Sequence, residues 1–464
     1  MTTATRPRIA IIGAGFSGSL LAVQLLKRAL PNGAVYLIEK NAQFGGGLAY
    51  STGNARHLLN VRASRMSAFV DEPDHFLNWL RRRDNNSPVH AAAAKSAATF
   101  VPRQLYGAYI QDLLGNEIWQ SGRGRNLHLV PDEATAIEQR PDGLTIEVGT
   151  GRRYDVDGAV LAVGNFPNDT GTKHYYGNPW DARATADLDP QAAVLLIGTG
   201  LTMVDSVISL LDGGHRGRIH AVSRRGLLPR RHGEAPAHGS AWLSDADLGS
   251  VTDLLRAVRR EVRATDDETV WRSVVDALRP YTQQLWQGLS PEERRRFLRH
   301  LRPWWDVHRH RMAPAVADII ERTVQSGQLS LLAGRVQQMN SNDQGIEVTL
   351  SRRGMESPEQ LRVARVIDCS GPQCDYATIS SPLVRSLLDQ GIARPDPLRL
   401  GLDVTLDSAV IDRDGNGSQR LYALGPVTRG IFWEITSVPD IREQCWKVAS
   451  QLGLRLTVPQ MARA

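Results

Sequence analysis

The chain has 464 residues, of which 42% are hydrophobic and 22% charged, a balance typical of a globular protein with two or three domains. Its net charge of +6 comes from 50 Arg and 5 Lys against 49 acidic residues, an excess too small to predict a nucleic-acid partner. Three cysteines are too few for a disulfide framework or a zinc cage, and we predict no metal site. The apolar run before the first glycines is too short for a secretory signal, and no later stretch reaches membrane-spanning length. These features predict a cytoplasmic protein without a membrane partner.

The first elements predict a β-α-β unit. "RIAIIGAG" (8–15) is typical of a buried strand, "FSGSLLAVQLLKRAL" (16–30) of a helix, and "AVYLIEK" (34–40) of a second strand. A segment farther on, 85–103, predicts a surface loop with some helix.

The turn of this unit carries a dinucleotide fingerprint. Gly13 permits a tight turn, Gly15 lets the backbone approach a pyrophosphate, and Gly18 lets the helix pack closely on the strand. Glu39 follows Gly18 by 21 residues, where an acid binds the ribose hydroxyls of a dinucleotide. The alternative is a purely structural glycine turn. The other residues expected at this nucleotide are Phe16, Ser17 and Lys40.

A second β-α-β unit follows at 192–225. "AAVLLIGTG" leads into "LTMVDSVISLLDGG" and then "RIHAVSRR". Gly198 and Gly200 are kept, but Met203 replaces the third glycine, so the fingerprint is weaker. Two further residues at the predicted start of the helix, Leu201 and Thr202, are also expected to bind the nucleotide.

The second strand of this unit ends in arginines instead of an acid. Ser223, Arg224 and Arg225 stand where an acid would bind a ribose, and planar guanidiniums suit a 2′-phosphate. We therefore predict NADPH in preference to NADH. A solvated arginine pair at a strand end is the alternative.

Two β-meanders and a helical segment complete the pattern. Residues 127–167 and 329–372 share one layout, in which a strand and a turn-rich hairpin lead to an apolar strand and a small-residue turn. The segment 230–325 has almost no strand signal and is rich in Arg, Leu and Trp, which predicts a helical insertion. Ser290 and Pro291 predict a helix start, and Pro303 a break or a new first turn.

With these motifs, the chain resembles the two-dinucleotide-binding flavoproteins over nearly its whole length, and among them the flavin-dependent N-hydroxylating monooxygenases, including enzymes that oxidise the amine of aspartate to nitrosuccinate. The motifs that carry the resemblance, besides the glycine turns, are "GLAYST…HLLNV…MS" (47–67), "FVPRQLYGAY" (100–109), "GTGLTMVD" (198–205), "WWDVHRHRMAP" (304–314) and "LYALGPVTRGIFWEITSVPDIREQ" (421–444). The resemblance implies FAD in the first unit and NADPH in the second.

The resemblance also implies a fold and a division into domains. The expected fold class is α/β, with two Rossmann-like dinucleotide-binding domains, β-meander crossovers and a helical insertion. Residues 1–185 and 345–464 would form the FAD-binding domain, and 186–229 and 326–344 the NADPH-binding domain. Residues 230–325 would be the insertion that supplies substrate contacts.

Further FAD contacts follow from the same resemblance. Pro426 stands where the family usually has an acid that contacts the ribityl chain, so that contact must come from elsewhere. The helix that starts in "TSVPDIREQ" (436–444) would direct its N-terminal amides to the flavin ring. The residues so assigned are Gly47, Leu48, Ala49, Tyr50, Asn60, Met66, Ser67, Gly164, Gly425, Pro426, Thr436, Val438 and Pro439.

Catalytic side chains are not identified by any motif, and five residues are candidates. His308, Arg309 and Arg311 could bind a substrate carboxylate, although a basic, partly exposed helix explains them equally well. His57 and Asn60 could approach the flavin, or His57 could be a structural histidine.

The absence of cysteines soon after Glu39 argues against a disulfide reductase. Disulfide reductases of this group carry a cysteine pair soon after the residue that corresponds to Glu39, and this chain has none there. Cys369 and Cys374 have the five-residue separation of a redox pair in disulfide reductases, but they lie in the exit turn of the second meander, where packing is the ordinary role of a cysteine. The sequence therefore predicts a monooxygenase that uses NADPH and molecular oxygen, through a hydroperoxyflavin, on a small nucleophilic substrate such as an amine. An NADPH-dependent reductase with an external acceptor, or a redox-sensing protein with little turnover, are the alternatives. The oligomeric state is not predicted.

Overall fold

The computed structural model describes residues 6–30, 32–83, 96–119, 126–168, 173–239, 242–264 and 269–457. The chain divides into two compact units. Unit 1 comprises Met1–Ala55, Val61–Phe166 and Gln373–Ala464, and unit 2 comprises Arg56–Asn60 and Pro167–Pro372. The greater part of the loop expected at 85–103 lies outside the described residues.

Sixteen strands lie within the described residues. They are β1 (Arg8–Ile12), β2 (Ala34–Ile38), β3 (Leu127–Val130), β4 (Ala134–Gln139), β5 (Leu144–Val148), β6 (Arg153–Val156), β7 (Gly158–Leu161), β8 (Tyr175–Tyr176), β9 (Val194–Ile197), β10 (Ile219–Ser223), β11 (Leu329–Asn342), β12 (Gly345–Arg352), β13 (Glu359–Val363), β14 (Arg365–Asp368), β15 (Ala409–Ile411) and β16 (Gly417–Ala423). The α-helices of the same residues are α1 (Phe16–Gln24), α2 (Gly47–Tyr50), α3 (His75–Arg82), α4 (Arg103–Trp119), α5 (Leu201–Asp212), α6 (Val251–Arg263), α7 (Trp271–Leu278), α8 (Thr282–Gly288), α9 (Pro291–Arg296), α10 (Arg302–Arg309), α11 (Pro314–Gln325), α12 (Pro382–Asp389) and α13 (Val438–Thr457).

Unit 1 is built on a six-stranded sheet of order β15-β16-β7-β1-β2-β3. All pairs are parallel except β15 with β16, and in the central register Ile11 of β1 lies opposite Leu37 and Val160. Strand β1 is buried from Ile9 to Ile12 and every residue of α1 is buried, since this helix packs between the sheet and both α4 and α13. A continuous apolar run is what a strand covered on both faces requires.

Unit 2 repeats this arrangement in a seven-stranded sheet of order β13-β12-β11-β10-β9-β14-β8. The first meander forms a separate three-stranded sheet, β4-β5-β6, whereas the second stays continuous with its parent sheet. Continuity is possible because the 14-residue β11 pairs in parallel with β10 over Leu329–Ala333 and antiparallel with β12 beyond it. The predicted fold class is therefore confirmed.

The segment predicted as a helical insertion is helical, with α6 to α11 in or adjoining it. Ser290 caps α9 by accepting a hydrogen bond from Glu293 N–H at 3.3 Å. Pro303 lies in the first turn of α10, directly after the π-helical turn Phe297–Leu301. The helix start and the new first turn follow the sequence prediction.

The unit boundaries differ from the division expected from the sequence. Residues 345–372, assigned there to the FAD-binding domain, pack in unit 2, as does 167–185. The reason is that β12 to β14 complete the sheet of β11 and β9. The short segment Arg56–Asn60 also belongs to unit 2. None of the helices in the described ranges is both long and apolar enough to span a bilayer.

Candidate functional site: two glycine turns and their surroundings

The turn after β1 requires glycine at two positions. Gly13 has φ +100°, its N–H donates to the Ile38 carbonyl at 2.8 Å, and a Cβ on it would lie well under 3.0 Å from the carbonyl oxygen of Ala162. A Cβ on Gly18 would approach the carbonyl oxygen of Gly13 even more closely. These backbone contacts explain the tight turn and the close packing of helix on strand.

The N-terminus of α1 offers backbone donors to an anion. Gly15 is the N-cap and has no side chain that could accept the first amides of the helix. The Glu39 carboxylate accepts the Ala14 N–H at 2.8 Å and the Asn41 N–H at 3.2 Å. Two hydrogen bonds hold the carboxylate at the end of β2 and leave it further acceptor capacity, as a ribose contact would require. Lys40 follows it and is exposed.

The glycines after β2 close over the first turn. Gly47 has φ +55°, and a Cβ there would lie 2.9 Å from the α-carbon of Gly15. The Gly45 N–H donates to the Ala14 carbonyl at 2.9 Å. The ring of Tyr50 packs edge-on against Phe16 with centroids 5.9 Å apart. Two backbone segments thus meet at the start of α1 without side chains between them.

The remaining residues assigned to this unit divide into exposed and buried ones. Leu48 and Ala49 are exposed, with Leu48 at 43%. Met66 and Ser67 are buried, and the Ser67 hydroxyl donates to the Glu72 carbonyl at 2.6 Å. Gly164 has φ +69° and faces open space.

The C-terminal turn of unit 1 is held by a residue that sequence reasoning missed. The buried Gln444 accepts the Gly425 N–H at 2.9 Å and donates to the hydroxyls of Ser408 and Thr428, each at 3.1 Å. Gly425 has φ +77°, and a Cβ on it would lie 2.7 Å from the Ser17 hydroxyl. The sequence feature that could have identified Gln444 is a polar residue on the otherwise apolar, buried face of α13.

Pro426 and the residues before α13 lie near this turn in the chain. Pro426 is the second residue of the 3₁₀ turn Gly425–Thr428. The Thr436 N–H donates to the Glu434 carbonyl at 2.5 Å, and Glu434 is buried with φ +63°. Val438 and Pro439 form the first turn of α13, and a hydrogen bond from Ser437 to Asp440 stabilises this start.

The turn after β9 in unit 2 repeats the glycine turn that follows β1 in unit 1. Gly198 has φ +103°, its N–H donates to the Val222 carbonyl at 2.7 Å, and a Cβ on it would lie 2.5 Å from the Cys369 carbonyl oxygen. Gly200 is the N-cap of α5, and a Cβ on it would meet nothing within 4 Å. Packing inside unit 2 does not require glycine at this position, so the space in front of the helix is available to a ligand. Leu201 and Thr202 are the first two residues of that helix.

The arginines at the end of β10 differ in their surroundings. Arg224 is exposed. Arg225 donates to the His300 carbonyl at 3.3 Å and lies 5.7 Å from the ring centre of Trp304. Ser223 lies 2.9 Å from the Thr199 hydroxyl, which binds the glycine turn to the next strand. Arg224 is therefore the better candidate for a phosphate, while Arg225 also holds the insertion.

His57 and Asn60 lie in unit 2. His57 is buried, and its Nε2 lies 3.0 Å from both the Asp205 carbonyl oxygen and the Ser209 hydroxyl of α5. The Asn60 carbonyl oxygen lies 3.0 Å from Nε2 of His232. These bonds explain why the segment 56–60 belongs to unit 2, and they give His57 a structural role there.

The three basic candidates of the insertion are not equivalent. Arg311 is 2% exposed, and it binds Asp276 through both terminal nitrogens at 2.7 and 3.2 Å and the His308 carbonyl through Nε at 2.7 Å. The sequence suggested that Arg311 could bind a substrate carboxylate, but the carboxylate that it binds in the structure is that of Asp276. His308 places Nδ1 2.8 Å from the Trp304 carbonyl oxygen, and burial lowers its pKa. Arg309 ends α10.

The cysteines do not form a disulfide, and all three lie in the described residues. Cys369 is buried in unit 2, 3.3 Å from the Ser206 hydroxyl, and burial raises its pKa to about 12. Burial also raises the pKa of Cys445. Cys374 is half-buried and belongs to unit 1. A thiol with so high a pKa is protonated at neutral pH and is a poor nucleophile.

Comparison with known proteins supports the resemblance stated from the sequence. Residues 10–166 match a family model described as FAD-NAD(P)-binding. No curated protein matches the sequence. Ornithine hydroxylase from Pseudomonas aeruginosa, in its reduced form, is 16% identical with a TM-score of 0.65, over 97% of this chain and 100% of that chain.

Two further solved structures have the same fold. The ornithine N-hydroxylase of Kutzneria sp. 744, with reduced FAD, NADP+ and L-ornithine, is 15% identical with a TM-score of 0.62, over 97% of this chain and 99% of the other. Bacillithiol disulfide reductase from Bacillus cereus is 12% identical with a TM-score of 0.52, over 97% and 100%. At these identities the likeness establishes the fold alone.

Proposed function

We propose that the protein is an FAD-dependent monooxygenase that consumes NADPH and N-hydroxylates a small amine or amino acid. The observation that carries the proposal is the repeated glycine turn, since Gly13 and Gly198 make matching backbone contacts in the two units and each turn opens onto a glycine-capped helix. The fold shared with ornithine hydroxylases supports the same assignment.

Unit 1 fits FAD. Gly15 and Gly47 keep side chains out of the space before α1, where the helix N–H groups would bind the pyrophosphate. Glu39 would accept the ribose hydroxyls. Bound FAD, reduced by NADPH, supplies the oxygen activation, and the protein's part is to bind, orient and exclude water.

Unit 2 fits NADPH. The open space before Gly200 suits a pyrophosphate, and the exposed Arg224 would bind the 2′-phosphate. The protonated thiol of Cys369 argues against a disulfide relay in this unit, and that favours oxygenation over disulfide reduction.

The test begins with the purified protein and its flavin spectrum. NADPH oxidation in air is then measured across a panel of amines and amino acids, with mass detection of a product that has gained one oxygen atom. A stimulated rate with such a product supports the proposal. A flavoprotein that oxidises NADPH only with an added quinone or protein acceptor is instead a reductase, and a protein that cannot be loaded with FAD overturns both assignments.

A further inference from the structure

Unit 2 contains a cavity whose lining includes no residue of its glycine turn or of the arginine pair after β10. The cavity volume is about 290 Å³, enough for a small organic molecule. Its apolar lining residues are Leu228, Pro229, Trp271 and Met312. They come from the loop after β10, from α7 and from the residues just before α11. The insertion and the residues after β10 thus line one open cavity.

The charged lining residues are three arginines and one glutamate. Arg231 forms an ion pair with Asp318 and lies 3.9 Å from Glu321. Arg230 and Arg272 line the same cavity and form no ion pair with any residue in the described ranges. The three arginines are partly balanced by the two carboxylates of Asp318 and Glu321, which leaves the cavity a net charge of about one positive unit.

Arg272 is the residue that most requires a ligand. Its Nε is buried without a hydrogen-bond partner among the described residues, and its guanidinium lies 4.9 Å from the ring centre of Trp271. A buried, unsatisfied donor on a charged group is costly, because it loses water without gaining an acceptor. The neighbouring Arg311 has its own carboxylate in Asp276. Arg272 has none.

We propose that this cavity binds a small organic monocarboxylate, with its carboxylate on Arg230 and Arg272 and its hydrocarbon part against Trp271 and Met312. A guanidinium binds a carboxylate through two parallel hydrogen bonds, which suits the unpaired arginines. One net positive charge matches a monoanion better than a doubly charged phosphate. The proposal goes beyond the proposed function and does not depend on FAD or on turnover.

The experiment is calorimetric titration of the purified full-length protein with 4-methylpentanoate, benzoate and phenylacetate, each compared with its uncharged amide. We expect at least one acid to bind and its amide to bind at least tenfold more weakly. Arg272→Met and Arg230→Met should each weaken the acid at least tenfold. The matched control, Arg256→Met, removes an exposed arginine of α6 outside the cavity and should leave binding unchanged.

Thermal melts establish that the variants are folded, and the exposed Arg230 gives a second test if Arg272→Met is unstable. Inorganic phosphate and 2′,5′-ADP are titrated in parallel. Tighter binding of either one that is lost in both cavity variants overturns the monocarboxylate assignment in favour of a phosphate. Failure of all three acids to bind, equal binding of acid and amide, or binding that neither variant changes also overturns it. Flavin content and NADPH oxidation are measured separately, so their outcome does not affect this test.

Discussion

Gly13 and Ala162 are in such close backbone contact that no side chain fits between them. A Cβ on Gly13 would approach the Ala162 carbonyl oxygen to well under 3.0 Å, and the φ of +100° disfavours any L-residue. Gly198 and Cys369 repeat this relationship in unit 2, with a separation of 2.5 Å for the same hypothetical atom. In unit 1 the contact joins the end of β1 to the residue after the neighbouring strand β7, and in unit 2 it joins the end of β9 to the residue after the neighbouring strand β14.

Gly13→Ala should destabilise unit 1 even without a ligand. Overpacking against a rigid backbone and a strained φ together cost about 3 kcal/mol. The measurement is thermal or denaturant unfolding, with Gly53→Ala as the control, because a Cβ on Gly53 in the same unit would meet nothing within 4 Å. Equal stability of the two variants would contradict the contact.

Gly200→Ala, in contrast to Gly13→Ala, should affect NADPH binding more than the stability of the protein. A methyl group there meets open space and φ is −82°, so the free energy of unfolding should fall by only about 1 kcal/mol, the usual cost of Ala at an N-cap. The methyl group would occupy the place proposed for a pyrophosphate. We expect NADPH binding to weaken about tenfold or more, at unchanged FAD content. Gly249→Ala is the control in unit 2, with φ of −68° and equally open surroundings. NADPH affinity that is unchanged in Gly200→Ala would refute the assignment of this turn.

Arg224→Ala should discriminate between the two nicotinamide cofactors. Loss of a charge-assisted bond to the 2′-phosphate corresponds to roughly tenfold or more in KM for NADPH, with little change for NADH. Arg225→Ala should have an additional effect on stability, because Arg225 also binds the His300 carbonyl and lies over Trp304. Steady-state kinetics with both cofactors measure this, with Arg256→Ala as the control. Parallel changes with NADPH and NADH would be evidence against a phosphate at Arg224.

Thiol labelling should distinguish the three cysteines. At pH 8 the buried Cys369, with a pKa of about 12, and Cys445, with a raised pKa, are protonated and enclosed, so only the half-buried Cys374 should react in the native protein. All three should react after denaturation, and Cys374→Ser should abolish native labelling. Because the Cys369 pKa is raised above its ordinary value of about 9, its contribution to stability is complete below pH 9 and is lost as the pH rises towards 12. Rapid native labelling of Cys369 would contradict its burial.

The parts of the fold that the sequence predicts are those set by local chemistry. The helix start at Ser290 and the new turn at Pro303 depend on residues next to each other in the chain, so a short motif specifies them. The glycine turns are recognised from closely spaced glycines, although the backbone atoms that require Gly13 and Gly198 lie far along the chain. The roles of His57 and Arg311 depend on partners far along the chain, 148 residues in one case and 35 in the other. Burial and partner identity at such distances follow from tertiary packing, which a motif does not encode. Gln444 escaped notice for the same reason, since its three partners are brought together only by the fold.

Arg311 and Asp276 give the sharpest distinction between a structural and a substrate-binding arginine. Arg311→Met should lower the free energy of unfolding, and Asp276→Asn should leave the buried guanidinium without its counter-charge. Because Asp276 is half-exposed, solvent screening reduces the cost of either change to about 2 kcal/mol. A double-mutant cycle of the two residues should show a coupling energy on the order of 1 kcal/mol. The control pair is Arg256 and Asp253, an exposed i,i+3 pair on α6 whose coupling should be near zero. If Arg311 bound a substrate instead, Arg311→Met would alter KM without changing the melting temperature, and the cycle would be additive.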